Sequence, residues 1–380
     1  MKVAIIGNPG HVKKTYEKEG KTYKKPVLDI FRQCGQNTGN LAFWYAVNNH
    51  ITSQKKFFGW NPNQSNDINK NYDVLVFIAA NQLNPNTDVG VLADLFEKVN
   101  LPLLIIGLGI QAKKIGDKLI FSKGTRRFID VIKTKAKHIS VRGQYTAKVL
   151  KDLGVNNVKI TGCPSNFINL KKNLGKANNL KLKNIKNIVV NTNLHPGSMK
   201  SFLTLVSGWR NNGYKLKFIM QDDNNIIKFC NDKRFDEHIN TVKFIKRLIL
   251  PDNNLYDVYK FASECFETFF NVEVWLEYLH RFDLSIGTRL HGNLLAFQAS
   301  VPTIFIPYDA RVTEMVETME LPRISYQNAI KLRTLENIIK NIEFDPIKYD
   351  KKRESLIRTY INILNDYGIK YNNELKDFIS

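Results

Sequence analysis

Short apolar runs alternate with helix-length stretches along most of this chain. In the first half the runs are Val3–Ile6, Val74–Ile78, Leu103–Ile106, Ile139–Val141 and Val158–Ile160. Runs apolar at consecutive positions, as the first three are, fit strands buried on both faces. The spacing between them predicts helices over 40–49, 89–99, 125–134 and 144–153, the last followed by Gly154 as a helix stop. Strand–helix alternation of this kind builds a parallel sheet with right-handed crossovers. The stretch Lys55–Asn71, rich in Asn and Lys, interrupts the pattern and reads as an irregular loop over a cleft.

Residues 173–187 are polar and basic and read as a linker. The alternation then restarts, with strands expected at Ile188–Asn191, Leu216–Met220, Val242–Phe244, Leu284–Ile286 and Thr303–Ile306. Helices are expected over 200–211, 257–262, 272–280, 293–299 and 335–342. A last amphipathic helix over 349–367 carries Leu356, Ile357, Tyr360, Ile361 and Leu364 on one face. The fold class is therefore α/β, with two doubly wound Rossmann-like domains, 1–176 and 186–344. A C-terminal helical segment, 345–380, packs back on them. Domains in series place a cleft between facing strand ends, where open α/β sheets bind ligands.

Composition narrows the picture. Hydrophobic residues make 43% of the 380 positions and charged residues 24%, a globular balance with no run of bilayer-spanning length. The N-terminal KVAIIG reads as a strand rather than a leader, so the expectation is a cytoplasmic protein. Four scattered cysteines without a C-x-x-C pair, and seven histidines without H-E-x-x-H spacing, predict no metal site. G-x-G-x-x-G is missing after the first strand, so no dinucleotide cofactor is expected. Lys and Arg outnumber Asp and Glu by 56 to 35, a net charge of +21 that attracts polyanions. No RNP, zinc-finger or helix-turn-helix pattern accompanies it, which argues against specific nucleic-acid binding. A solvated lysine face explains the excess; so does peripheral contact with an anionic inner membrane face through the Lys21–Lys25 cluster.

The most chemistry-bearing segment is Asp283–Glu317. Arg289 and His291 fall between a predicted strand and a predicted helix, where backbone N–H groups and the helix dipole favour an anion. A guanidinium beside an imidazole suits an anionic substrate that needs proton transfer. A structural arginine paired with a carboxylate such as Glu314 is the alternative.

The motif Gly287-Thr288-Arg289-Leu290-His291, with Ala299–Thr303 and Tyr308–Val312 downstream, resembles the C-terminal signature of the polysaccharide pyruvyltransferase family. Gln36–Asn40, Gly107–Gln111 and Ser140–Gly143 resemble its earlier turns, so the likeness spans roughly residues 30–320. The resemblance implies a GT-B-like pair of domains and transfer of a pyruvyl group from phosphoenolpyruvate to two sugar hydroxyls as a cyclic ketal. The partners it implies are phosphoenolpyruvate and a sugar or oligosaccharide acceptor, lipid-linked or free. No cofactor is expected beyond the donor substrate. His291 would shuttle protons, Arg289 grip the donor anion, and Arg142 close the donor site or meet the departing phosphate. Substrate contacts are expected from Asn37, Gly39, Asn40, Gly109 and Gln111 on the acceptor side, the N-domain, and from Gln221, Leu290, Tyr308 and Arg311. Two departures from the family pattern are Cys163, where an acidic residue often precedes the proline, and Arg311, where many relatives carry lysine. Two other classes remain open on sequence: a GT-B glycosyltransferase using a nucleotide sugar, and a non-catalytic binder of anionic glycans.

Overall fold

The computed structural model describes residues 1–19, 21–179, 185–195, 197 and 199–379. The strands in chain order are β1 (Lys2–Ile6), β2 (Thr15–Lys18), β3 (Lys21–Lys24), β4 (Gln54–Phe58), β5 (Val74–Ile78), β6 (Leu103–Leu108), β7 (Ala136–Val141) and β8 (Val158–Ile160) in the first half. The second half holds β9 (Asn187–Asn191), β10 (Lys215–Ile219), β11 (Phe266–Glu267), β12 (Leu284–Gly287) and β13 (Thr303–Phe305). All pairs of the six-stranded N-domain sheet are parallel, in the order β4-β1-β5-β6-β7-β8. The C-domain sheet is also parallel, in the order β11-β10-β9-β12-β13. Every side chain of β5 and β6 is buried, as unbroken apolar runs between two helical layers require.

Two expectations are corrected. Val242–Phe244 lies inside a helix, Ile239–Ile249, that buries Val242, Ile245, Leu248 and Ile249 at helical spacing. Val242-Lys243-Phe244 alternates apolar and polar like a strand, but three residues do not fix the period, and only the continuation through Ile245, Leu248 and Ile249 shows helical spacing. The edge strand of that sheet is instead β11. The expected loop at Lys55–Asn71 holds β4 and a helix, Ser65–Asn71. Lys55, Lys56, Phe57 and Phe58 alternate weakly because β4 is an edge strand with one face toward solvent. The linker region starts with a short helix, Leu174–Ala177, and residues 180–184 of that expectation lie outside the described residues.

The Lys21–Lys25 cluster sits on the β2–β3 hairpin, whose residues are exposed and whose Tyr16 and Tyr23 rings stack at 5.4 Å. No helix among the described residues is long and apolar enough to cross a membrane.

The C-terminal helix, Pro346–Asp366, packs on the N-domain. Leu356, Ile357, Tyr360, Ile361 and Leu364 join one apolar cluster with Val3, Ile5, Val76 and Leu104. His50 is one polar link between them. Its Nε2 donates to the Phe167 carbonyl at 3.1 Å, and the Tyr360 hydroxyl lies 3.4 Å from Nδ1, so the neutral ring fits and a protonated one would leave Nδ1–H poorly placed. Burial pushes its pKa from 6.5 down to about 4. The unfolded chain therefore takes up a proton below pH 6.5 that the folded chain refuses until about pH 4. Stability present above pH 6.5 is lost as pH falls through that window, by about 3 kcal/mol from this group. Thermal unfolding followed from pH 7 to pH 4 should show the loss, and His50→Gln should flatten it. Parallel profiles would exclude His50 as its source.

Candidate functional site

The carboxyl ends of β6, β7, β9, β10 and β12 converge where the two domains meet. At the end of β12 the backbone passes so close to β9 that a Cβ on Gly287 would sit 2.0 Å from the Asn191 carbonyl oxygen. Glycine alone permits the turn. The helix that follows, Leu290–Gln298, starts earlier than expected, with Arg289 as its N-cap and His291 in its first turn. A chain of buried side chains fixes that turn. Asn293 donates to the Gly287 carbonyl at 2.7 Å and accepts from Ser285 at 2.9 Å. Asn191 donates to Ser285 at 3.1 Å and accepts from Gln221 at 3.4 Å. The Arg289 amide donates to the Asn191 carbonyl at 2.9 Å.

The N-domain meets this scaffold directly. Thr38 N donates to the Gln221 carbonyl at 2.9 Å, and Gly39 packs against the Gln221 and His291 side chains with no room for a Cβ. Gln221 thus joins the domains. Asn37 caps the Gly39 amide at 2.9 Å and Asn40 donates to the Cys34 carbonyl at 3.0 Å, so both amides hold the turn itself. Leu290 turns its side chain into the apolar core and offers the cleft only backbone. Gly109 makes room for Arg142, whose Cδ would lie 2.9 Å from an added Cβ. Gln111 accepts from Asn81 at 3.4 Å.

Arg142 is fully buried. Its guanidinium donates to the Gly107 carbonyl at 2.8 Å, Asn81 at 3.1 Å and the Ala79 carbonyl at 3.3 Å, and lies over the Phe43 ring at 5.0 Å. Phe43 also meets His291, with ring centroids 5.2 Å apart. Arg289 is ion-paired with Asp222, not with Glu314. Glu314 instead crosses to the N-domain and accepts from Thr146 N at 2.6 Å and Thr146 Oγ1 at 2.9 Å. It thereby caps the helix Gln144–Asp152 that follows Arg142 and clasps the two domains. Burial raises the Glu314 pKa despite these bonds.

Arg311 completes the cluster, with Tyr308 Oη and Asp309 each 3.4 Å from its guanidinium. The Nε groups of Arg289 and Arg311 are buried and find no partner among the described residues. Such orphaned charged donors are costly and call for an acceptor. Burial, then the fields of Arg142, Arg311 and Arg289, hold the His291 pKa well below 6.5. His291 is therefore held in its neutral form, unlike the near-neutral titration its type suggests. Its Nε2 lies 3.6 Å from Cys163 Sγ, which contacts Ser165 Oγ at 3.0 Å. Asp222, Cys163, Phe43 and Asn81 escaped sequence reading. Cys163 carried the one signal, as a departure from the family pattern at a strand end.

For a metal, one trio among the described residues has suitable spacing: Asp232, Glu237 and His238, with ligand atoms within 4.8 Å of one another. Arg234 already pairs with both of its carboxylates, and His238 lies 2.6 Å from Asp232.

Two Rossmann-like domains meeting at a buried arginine–histidine cluster define a GT-B-like fold. Within that class the chain belongs to the polysaccharide pyruvyl transferase family, whose profile matches residues 37–310. Among solved structures it is similar to S. aureus MnaA with UDP (12% identity, 96% of this chain and 97% of that one, TM-score 0.47). It is similar also to the UDP-GlcNAc 2-epimerase of Neisseria meningitidis bound to UDP-GlcNAc (11%, 95% and 100%, TM-score 0.43). A third is an α,α-trehalose-phosphate synthase from Burkholderia vietnamiensis (10%, 98% and 89%, TM-score 0.41). No curated protein matches the chain.

Proposed function

We propose that the protein transfers a pyruvyl group from phosphoenolpyruvate to two hydroxyls of a sugar in a surface polysaccharide or its precursor. The observation that carries this reading is the pair of buried, unpartnered guanidinium donors, on Arg289 and Arg311, beside a neutral imidazole. Phosphoenolpyruvate bears a carboxylate and a phosphate on three carbons, and planar guanidinium groups grip either bidentately. Arg289, Arg311 and the first turn of the Leu290–Gln298 helix would hold these anions. Arg142, whose carbonyl contacts fix its plane, would add charge from the N-domain.

Burial and then the arginine field keep His291 deprotonated; bound anions offset the arginine part, so donor binding raises its proton affinity. His291 would then take the proton of the attacking hydroxyl and deliver a proton to the donor methylene carbon, C3, as the new C–O bond forms at C2. The second hydroxyl attacks C2, the C2–O bond to phosphate breaks, and that hydroxyl's proton leaves with inorganic phosphate. Two hydroxyls and an enol phosphate thus become a methyl ketal and phosphate. The arginines stabilise the phosphate as its charge develops.

Phosphate release from phosphoenolpyruvate across a panel of sugar acceptors tests the reaction, alongside thermal shift. Phosphoenolpyruvate should raise Tm and UDP should not, because a ligand stabilises only the state it binds. Stabilisation by UDP alone would favour the nucleotide-sugar glycosyltransferase reading.

A further inference from the structure

A cavity of about 760 Å³ opens where Lys113 and Lys114 of the N-domain face the Tyr308 turn of the C-domain. That volume lies inside the range of roughly 300–1,000 Å³ typical of small-ligand sites. The backbone closes one end, where Ala310 N donates to the Lys113 carbonyl at 3.2 Å. Tyr308 is a shared wall: it lines the cavity, and its hydroxyl lies 3.4 Å from the Arg311 guanidinium of the anion site. A ligand in the cavity is thus one side chain away from the donor cluster.

The lining has a different chemistry from that cluster. Three cations, Lys113, Lys114 and Arg323, face three carboxylates, Asp309, Glu317 and Glu343. Arg323 and Glu343 pair at 3.1 Å, and Glu317 is exposed with no ion pair among the described residues. The half-buried ring of Tyr326 forms part of the wall. A balanced set of charges gives no net attraction for a nucleotide or phosphate. Aromatic faces stack on the C–H face of a pyranose, and carboxylates accept its hydroxyl hydrogens.

We infer that this cavity binds the neutral hexopyranose ring of the acceptor. The word acceptor rests on the pyruvyl-transfer reading; the sugar chemistry does not. The N-domain turn at Asn37–Asn40, expected to meet the acceptor, already spends Asn37 Oδ1 on the Gly39 amide and Asn40 Nδ2 on the Cys34 carbonyl. The cavity instead brings sugar hydroxyls to the Tyr308–Arg311 edge of the donor site.

The test is saturation-transfer NMR of the full chain with p-nitrophenyl glucoside, galactoside, mannoside and N-acetylglucosaminide, run beside thermal shift with phosphoenolpyruvate. At least one hexoside should bind, and Tyr326→Ala should weaken it about tenfold, the effect of losing one stacking face. Glu317→Gln, at an exposed position, should weaken it too and serves if Tyr326→Ala does not fold. The phosphoenolpyruvate response should persist in both variants. Hexoside binding unaltered by either variant overturns the inference, as does a protein that phosphoenolpyruvate stabilises but no hexoside binds. Variant-sensitive hexoside binding without any phosphoenolpyruvate response supports the sugar site and removes the pyruvyl-transfer reading instead.

Discussion

Replacing His291 by Ala or Asn should lower turnover by about 100-fold or more, the usual scale of general acid–base catalysis, while phosphoenolpyruvate affinity changes little. The ring is placed to act on protons rather than to hold charge. It lies against Phe43 and Cys163, and burial, reinforced by three arginine fields, keeps it neutral. A neutral imidazole contributes little to holding an anion, so its loss should fall on kcat and not on donor binding. Its protonation should also depend on the donor. In the free enzyme the group stays deprotonated well below pH 6.5. With the donor's anions beside the arginines, its proton affinity rises, so its limb in the kcat profile should lie at higher pH than its limb in kcat/KM. Steady-state profiles of the wild type and His291→Asn check both points, the limb vanishing in the variant. Near-normal turnover in the variant would remove His291 from the mechanism.

Much of this site could be read from local sequence because its anchors are local. The Gly287–His291 turn joins a short apolar strand to a helix, and both elements announce themselves within about twelve residues. The parallel sheets were legible for a similar reason: β5 and β6 are buried on both faces and so are apolar throughout. What escaped was tertiary. Cys163 meets His291 across 128 positions, and Glu314 meets Thr146 across 168. No local pattern says which carboxylate an arginine will find; Arg289 takes Asp222, just past β10, and Glu314 becomes a helix cap in the other domain. The amides of Asn37 and Asn40 illustrate the converse. A turn rich in Asn suggests ligand contacts, yet the same amides satisfy backbone groups of the turn. The helix at Ile239–Ile249 is hidden locally because Val242-Lys243-Phe244 alternates like a strand, and its helical period shows only over the next turn.

Arg289→Lys should weaken phosphoenolpyruvate binding by roughly 1.5–3 kcal/mol, about ten- to hundredfold in Kd. Lysine keeps the charge and can still reach toward a carboxylate. It loses the planar fork and with it the buried Nε donor that has no partner among the described residues. Asp222 makes the prediction discriminating, because it already occupies part of the guanidinium. If Arg289 serves only that ion pair, Arg289→Lys and Asp222→Asn should both lower Tm and leave donor affinity alone. If Arg289 binds the donor, the two variants diverge. Asp222→Asn removes a competing anion and should hold or raise donor affinity, while Arg289→Lys lowers it. Titration calorimetry of both variants with phosphoenolpyruvate separates the cases. Unchanged affinity in Arg289→Lys would assign the residue to the fold, and donor binding would then rest on Arg311, Arg142 and the helix N-terminus.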